Sequence, residues 1–469
     1  MENSSTTTKW SELLSGKNGL RSIALAGGVM LHATDVYLAT TIMPSITTEL
    51  GGLSFYAWAT TVYVVAAIMG SVISSQHLAR RGPKVAYRIA AVLFAAGSTV
   101  SALAPNMGIL LIGRFIQGVG GGLLFALSYA MIRIVFEEKL WPRAMALVSA
   151  MWGISAFSGP FIGGLFAQYG HWRSAFFTLV VIAILLLVLT ENILPAKASS
   201  NPTRQKLPGV QLLLLTIATL AISVGSITDS LSANIAGLSF AALLFGYLLW
   251  IEKKSGNRLL PTGAYKITRP LGATYLVIAL LSIATAVEIY IPYFMQVIHG
   301  FSPLASGYLT VVIAFGWSFA SISFSGFPKE KAKLLMTLGP FTVLAGMVGF
   351  AILMPLTQSS QGLYFILMCI CLFSIGIGVG MGWPHLLTRV LTSSAKGEEE
   401  KASASITTVQ LLSTAVGTAL TGLVVNSAGI IKPGGLQGAQ QASLWLFGLF
   451  ALMPLCAVLI QLSQKRKAG

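Results

Sequence analysis

Residues 31–44 read LHATDVYLATTIMP, an apolar stretch with a carboxylate, Asp35, near its middle. Only one other aspartate, Asp229, occurs in the chain. A carboxylate inside a segment that crosses lipid is costly, so by default it faces a bundle interior or a water-filled space and marks a functional site. His32 lies three residues earlier on the same helical face, with Gly28 one turn before it. The alternative for Asp35 is a structural carboxylate bonded to a neighbouring helix. For His32 it is a packed ring bonded to backbone.

The rest of the chain shows why this segment crosses lipid. Its 469 residues are 55% hydrophobic and only 9% charged, with mean hydropathy +0.79. Apolar runs of about 20 residues, the length that spans a bilayer core, recur throughout. Fourteen spans are expected: 22–46, 55–75, 84–104, 107–134, 143–169, 173–194, 208–228, 233–251, 269–298, 303–325, 332–356, 361–390, 401–428 and 440–463. The fold class is therefore all-α and integral to the membrane, with both termini cytoplasmic. No removable signal peptide is expected, because residues 1–21 are polar and lead directly into the first span.

Charge placement supports this count. Lys9, Lys17 and Arg21 precede span 1; Arg80, Arg81, Lys84 and Arg88 follow span 2; Arg133, Lys139 and Arg143 flank the end of span 4. Spans 6, 8, 10 and 12 and the tail continue the pattern, leaving only Arg114, Arg173 and Lys432 elsewhere. The net charge of +16 thus orients the chain by the positive-inside tendency, and no nucleic-acid partner is expected. Cys369, Cys371 and Cys456 lie in apolar segments and read as core residues rather than metal ligands or a disulfide framework.

Spans 7 and 8 form a hairpin around Asp229 between the polar runs SSNPTRQK and EKKSGNR. Setting them aside leaves six spans on either side: residues 1–195, a linker of 196–258 with two extra helices, and 259–469. Two six-helix bundles rocking about a central site is the plan of many secondary transporters.

Span 9 opens the second bundle as span 1 opens the first, and it also carries an acid, Glu288. Its alternative is a neutral, hydrogen-bonded carboxyl. In span 4, Arg114 needs a partner if buried, and Gln117 with Gly118, Gly120, Gly121 and Gly122 permits close helix approach. Arg114 reads equally as a holder of an ionised acid or as a cap on helix-end carbonyls. Gly159, Pro160, Gly163 and Gly164 in span 5 make a kinked, smooth face suited to tight packing or to a sliding contact. Tyr37, Gln117, Tyr129, Trp152, Tyr290, Tyr293 and Gln296 are candidates to line a substrate cavity. A buried carboxyl that alternates between environments gains and loses a proton, so Asp35, Glu288, Arg114 and His32 are the proton-coupling candidates.

These motifs together resemble the major facilitator superfamily, and within it the fourteen-span drug:proton antiporter family. Asp35 through Pro44 is similar to that family's first-span motif. Arg114–Gln117–Gly118–Gly120 resembles its proton-coupling motif, and Gly159–Pro160–Gly163–Gly164 its antiporter motif. YFMQVIHGFSPLASG (293–307) and ASASITTVQLLSTAVGTAL (402–420) resemble its signatures at span 9 and span 13. The loop after span 2 departs from the family pattern Gly-x-x-x-Asp-x-x-Gly-Arg: Ser75, Ala79, Gly82 and Pro83 stand there, so the acid is missing. Tyr37 and Thr40 replace the usual Thr and Asn of span 1.

The expected function is export of small amphipathic or cationic compounds in exchange for protons, by alternating access in the cell membrane, as a monomer. The alternatives are a dedicated exporter of one metabolite or siderophore, and a facilitator-type importer. No cofactor, metal or enzymatic activity is expected: there is no HExxH, and Gly16–Lys17–Asn18 lacks the spacing of a phosphate loop.

Overall fold

The computed structural model describes residues 10–196, 209–225, 227, 231–254, 258–357, 362–395 and 398–468. Asp229, Lys9 and the polar run 199–206 lie outside them. Among the described residues every regular element is helical. Backbone groups in lipid must bond within their own segment, and an apolar chain without closed strands does so as helix.

A short α1 (Trp10–Leu14) precedes α2 (Gly16–Leu50), α3 (Tyr56–Ala102), α4 (Met107–Val135), α5 (Trp141–Gln168) and α6 (Trp172–Ile193). The apolar hairpin α7 (Gly209–Gly225) and α8 (Leu231–Lys254) follows. Then come α9 (Pro270–Thr285), α10 (Ile291–His299), α11 (Pro303–Phe324), α12 (Lys329–Leu353), α13 (Gly362–Ser393), α14 (Glu399–Val425), α15 (Gly435–Phe450) and α16 (Leu452–Ala468). Among the described residues twelve helical runs are long and apolar enough to cross a membrane, with α9–α10 and α15–α16 each counted as one. α7, at 17 residues, is shorter.

Local chemistry sets the boundaries. Asn106 caps α4, its side chain accepting from Ile109 N–H at 3.0 Å, and Ser302 caps α11 ahead of Pro303. The expected spans 55–75 and 84–104 form one continuous helical run, broken only at Gly82, where φ is 78° and ψ 167°. That conformation is open to glycine and to little else. The expected span 269–298 is interrupted by a tighter 3-10 turn, Ala286–Tyr290, which carries Glu288. Pro292 causes this: it has no N–H to give the carbonyl of residue 288 and its ring crowds that oxygen. Ile291 N–H bonds the Glu288 carbonyl instead.

Glycines bring the helices into backbone contact. A side chain at Gly122 would strike the Ala67 carbonyl, and one at Gly120 the Phe94 backbone, so α4 lies directly on both arms of α3. α2 packs along α5, α12 and α11 both lie on α13, and α14 lies along α9. The hairpin touches both sides of the molecule: α7 packs on α3 and on α14, and Trp58 donates its indole N–H to the Ser223 carbonyl at 3.1 Å.

The helices of residues 16–193 meet those of residues 270–468 near the end where α2 finishes. Tyr56 Oη donates to the Ile289 carbonyl at 3.1 Å, Thr61 to Thr418 at 3.0 Å and Asn426 to the Ser54 carbonyl at 3.0 Å. Along α5, residues 153, 157, 160 and 164 share one helical face. At Gly164 and Pro160 that face touches α11, at Leu304 and Gly307, and the Phe157 ring meets Tyr308 at 5.3 Å. At Gly153 nothing lies within 4 Å of where a side chain would start. α5 and α11 are thus in contact from Phe157 to Gly164, and at Gly153 the same face of α5 has open space beside it.

Candidate functional site

Asp35 points into the wedge between α2, α3 and α4 and is wholly buried. Arg114, from α4 and 1% exposed, places one terminal nitrogen 2.8 Å from each of its carboxylate oxygens. Removing both charges from water is tolerable only because each is also saturated by other partners. Arg114 donates to the Gln117 side chain at 2.7 Å and, through Nε, to the Ala59 carbonyl at 3.3 Å. Gln117 returns a bond to Asp35 at 2.8 Å and gives another to Ser98 at 2.8 Å. The guanidinium also lies 4.2 Å over the ring of Tyr63. Close approach at Gly97, where an added side chain would meet the Gln117 backbone, brings Ser98 into range.

Tyr63 Oη is 2.8 Å from His32 Nδ1. The imidazole packs against Tyr63, Phe125 and Trp152, with ring centroids 5.5, 5.2 and 6.0 Å away. Thr34, beside Asp35, shares hydrogen bonds with Ser155 of α5, and Ser155 in turn donates to the Met30 carbonyl at 3.1 Å. The four proton-coupling candidates therefore divide. Asp35, Arg114 and His32 fall in one nook, whereas Glu288 lies apart on the α9–α10 break. Glu288 is half-buried and lies within electrostatic reach of Tyr37 on α2. Among the described residues no hydrogen-bond donor meets its carboxylate.

The cavity candidates divide in the same way. Gln117 is part of the buried network. Tyr129 and Trp152 are half-buried on the side of α4 and α5 that leads to the open space, with Tyr129 3.3 Å from Ser149. Tyr290 and Tyr293 pack against Tyr56 at the closed end, at 4.6 and 5.6 Å. Gln296 donates to Ser306 at 3.0 Å beside them. Gly159 and Gly163 bring α5 onto Tyr37 and Leu38 of α2, and Gly164 brings it onto Leu304 of α11. Sequence reasoning named Arg114 and its need for a partner, but not that the partner is Asp35. Nothing in the sequence signals the hydrogen bond between Tyr63 and His32 or the part that Ser98 plays beside Gln117.

The arrangement is an ion pair buried inside a bundle of long, apolar helices. The solved POT family transporter PepTSo has a similar architecture, with a TM-score of 0.65 at 14% identity over 98% of this chain and 99% of that one. A D-xylose-proton symporter gives 0.64 at 16% identity over 95% and 97%. The chain belongs to the Major Facilitator Superfamily, whose sequence profile matches residues 25–418. It is 35% identical to a Mycobacterium tuberculosis protein named as a probable multidrug-efflux transporter, over 91% of this chain and 92% of that one. It is 25% identical to the multidrug efflux pump SdrM of Staphylococcus aureus, over 70% and 73%. The protein is thus a multi-pass transporter of the cell membrane.

Proposed function

We propose that the protein is a proton-coupled exporter, an antiporter of small amphipathic or cationic compounds. The observation that carries this reading is that two acids lie inside the helical bundle in different surroundings. Asp35 is enclosed and held by Arg114, so it is the acid suited to take a proton. Glu288 is half-buried and lacks a donor among the described residues, so it is the acid suited to meet a cationic substrate. The similarity to proteins named as multidrug-efflux transporters supports export of drugs.

In this reading the chain crosses the membrane fourteen times. The break at Gly82 turns α3 into two crossings, and α7 with α8 adds a linker pair. Residues 1–195 and 259–469 are the two rocking halves, 196–258 the hairpin between them, and both termini are cytoplasmic. The open end of the α5–α11 contact then faces the cytoplasm, and substrate enters there. After the halves rock, a proton neutralises Asp35, Arg114 loses its fixed partner, and the outward state releases substrate. Return of the protonated form delivers the proton inside, and the protein works as a monomer.

The test uses reconstituted protein and a pH gradient, with ethidium and a neutral dye as probes. Asp35→Asn should abolish gradient-driven efflux of both, while Glu288→Gln should weaken ethidium efflux and spare the neutral probe. The proposal fails if both variants and their combination transport like the wild type.

A further inference from the structure

Asp35 has no exposed surface, so a proton can reach it only through a neighbour. Four titratable groups share this nook: Asp35 and His32 from α2, Tyr63 from α3 and Arg114 from α4. α5, on the fourth side, brings only Trp152, Ser155 and Ser158. A guanidinium keeps its protons, and the Gln117 amide does not ionise. Ser98 reaches Gln117 rather than the acid. The Tyr63 hydroxyl both donates and accepts; its ring shares the Arg114 guanidinium with Asp35, and its oxygen lies 2.8 Å from His32 Nδ1. Beyond it the His32 ring abuts Phe125 and Trp152, both half-buried, and Trp152 adjoins Gly153.

We propose that Tyr63 and His32 are the wire by which protons pass between the open chamber and Asp35, with Gly121 leaving the space in which they touch. A side chain at Gly121 would begin 2.5 Å from Tyr63 Oη and 2.9 Å from His32 Nδ1. The inference rests on the reading that Asp35 gains and loses a proton. Inward transfer starts with Nδ1 of His32 protonated and Nε2 free. One proton binds Nε2 from chamber water, the Nδ1 proton moves to Tyr63 Oη, and the hydroxyl proton of Tyr63 moves to the Asp35 carboxylate. One proton is taken up and one delivered, tyrosinate does not accumulate, and release follows the same path in reverse. Arg114, bonded to Asp35 and lying over the Tyr63 ring, holds that ring beside the acid.

The experiment needs no substrate. Full-length protein in lipid nanodiscs receives a light-triggered proton release, and infrared difference spectroscopy follows the carbonyl stretch of a newly protonated carboxyl. Asp35→Asn assigns the band. If that variant leaves the spectrum unchanged, Asp35 does not titrate, and both the transport reading and this one fall. Where the band is Asp35's, Tyr63→Phe keeps the ring and its cation contact but should slow the band's rise by about a hundredfold, the scale of one positioned proton-transfer group, at unchanged final amplitude. His32→Gln should slow it similarly and Gly121→Ala less. An unchanged rate in Tyr63→Phe and His32→Gln would overturn the wire while leaving the transport reading intact. A lost amplitude in Tyr63→Phe would overturn it too, because Tyr63 would then set the charge of Asp35 rather than conduct.

Discussion

Two opposite charges enclosed by helices attract strongly, yet each loses its water, and removal of one partner leaves the other stranded. Asp35 and Arg114 are in that position, so transport and stability are entangled in any single substitution. Arg114→Gln alone should destabilise the protein by about 3–5 kcal/mol, as expected for an orphaned buried charge. Asp35→Asn with Arg114→Gln should recover much of that loss in thermal unfolding while gradient-driven transport stays absent. Recovery of both would remove the ion pair from the mechanism. A different carboxylate, Glu398, lies outside the spans and accepts from the Thr262 backbone N–H at 2.8 Å and its hydroxyl at 2.9 Å. Those bonds, the backbone one first, hold its carboxyl below the usual carboxylate range. A depressed folded-state pKa stabilises above the unfolded value and is lost as pH falls through the folded one. The difference in melting temperature between wild type and Glu398→Gln should therefore be small, present at neutral pH, and vanish in acid. A difference that persists in acid would mean the bonds do not depend on the charge.

At the scale of elements, the break between α9 and α10 decides where the second acid points. Pro292 produces it, and Pro292→Ala supplies the missing N–H to the carbonyl of residue 288. The variant should be more stable to heat than the wild type, because the strained ring contact is removed and the 3-10 turn can relax to regular helix. It should also transport ethidium less well, because a regular helix rotates the Glu288 side chain away from Tyr37. Equal transport would show that the break is not needed to aim the acid. The α3–α4 contact is the opposite kind of device: glycines at 97, 118, 120 and 122 hold the network's two walls at backbone distance, and the ion pair exists because of that proximity.

Across the whole molecule, the two sides are joined by hydrogen bonds near the end where α2 finishes. Thr61 on α3 and Thr418 on α14 stand hydroxyl to hydroxyl at 3.0 Å, a separation within reach of a disulfide between cysteines placed there. Thr61→Cys with Thr418→Cys, oxidised, should lock that end shut and stop net transport, and a reductant should restore it. Retained transport after complete cross-linking would mean that this end does not open during the cycle. The α7–α8 hairpin bears on the same contact, since it leans on both α3 and α14. Buried Glu252 at the foot of α8 accepts the Leu259 N–H at 3.1 and 3.0 Å and the Tyr265 hydroxyl, tying the hairpin to the chain that leads into α9.

The amino-acid sequence alone determined that this chain is a helical membrane protein, because apolar length and sparse charge leave the backbone no other way to satisfy itself in lipid. It also singled out Asp35, Arg114 and Glu288, because charge at such depth is too costly to be incidental. Which of them touch was decided by tertiary structure. The Asp35–Arg114 bond spans 79 positions and depends on glycine contacts between α3 and α4. Tyr63 is one tyrosine among thirteen until the fold sets its hydroxyl against His32. Side-chain depth is written in local composition, whereas partnership depends on how helices cross, and crossing is fixed only when every face is packed.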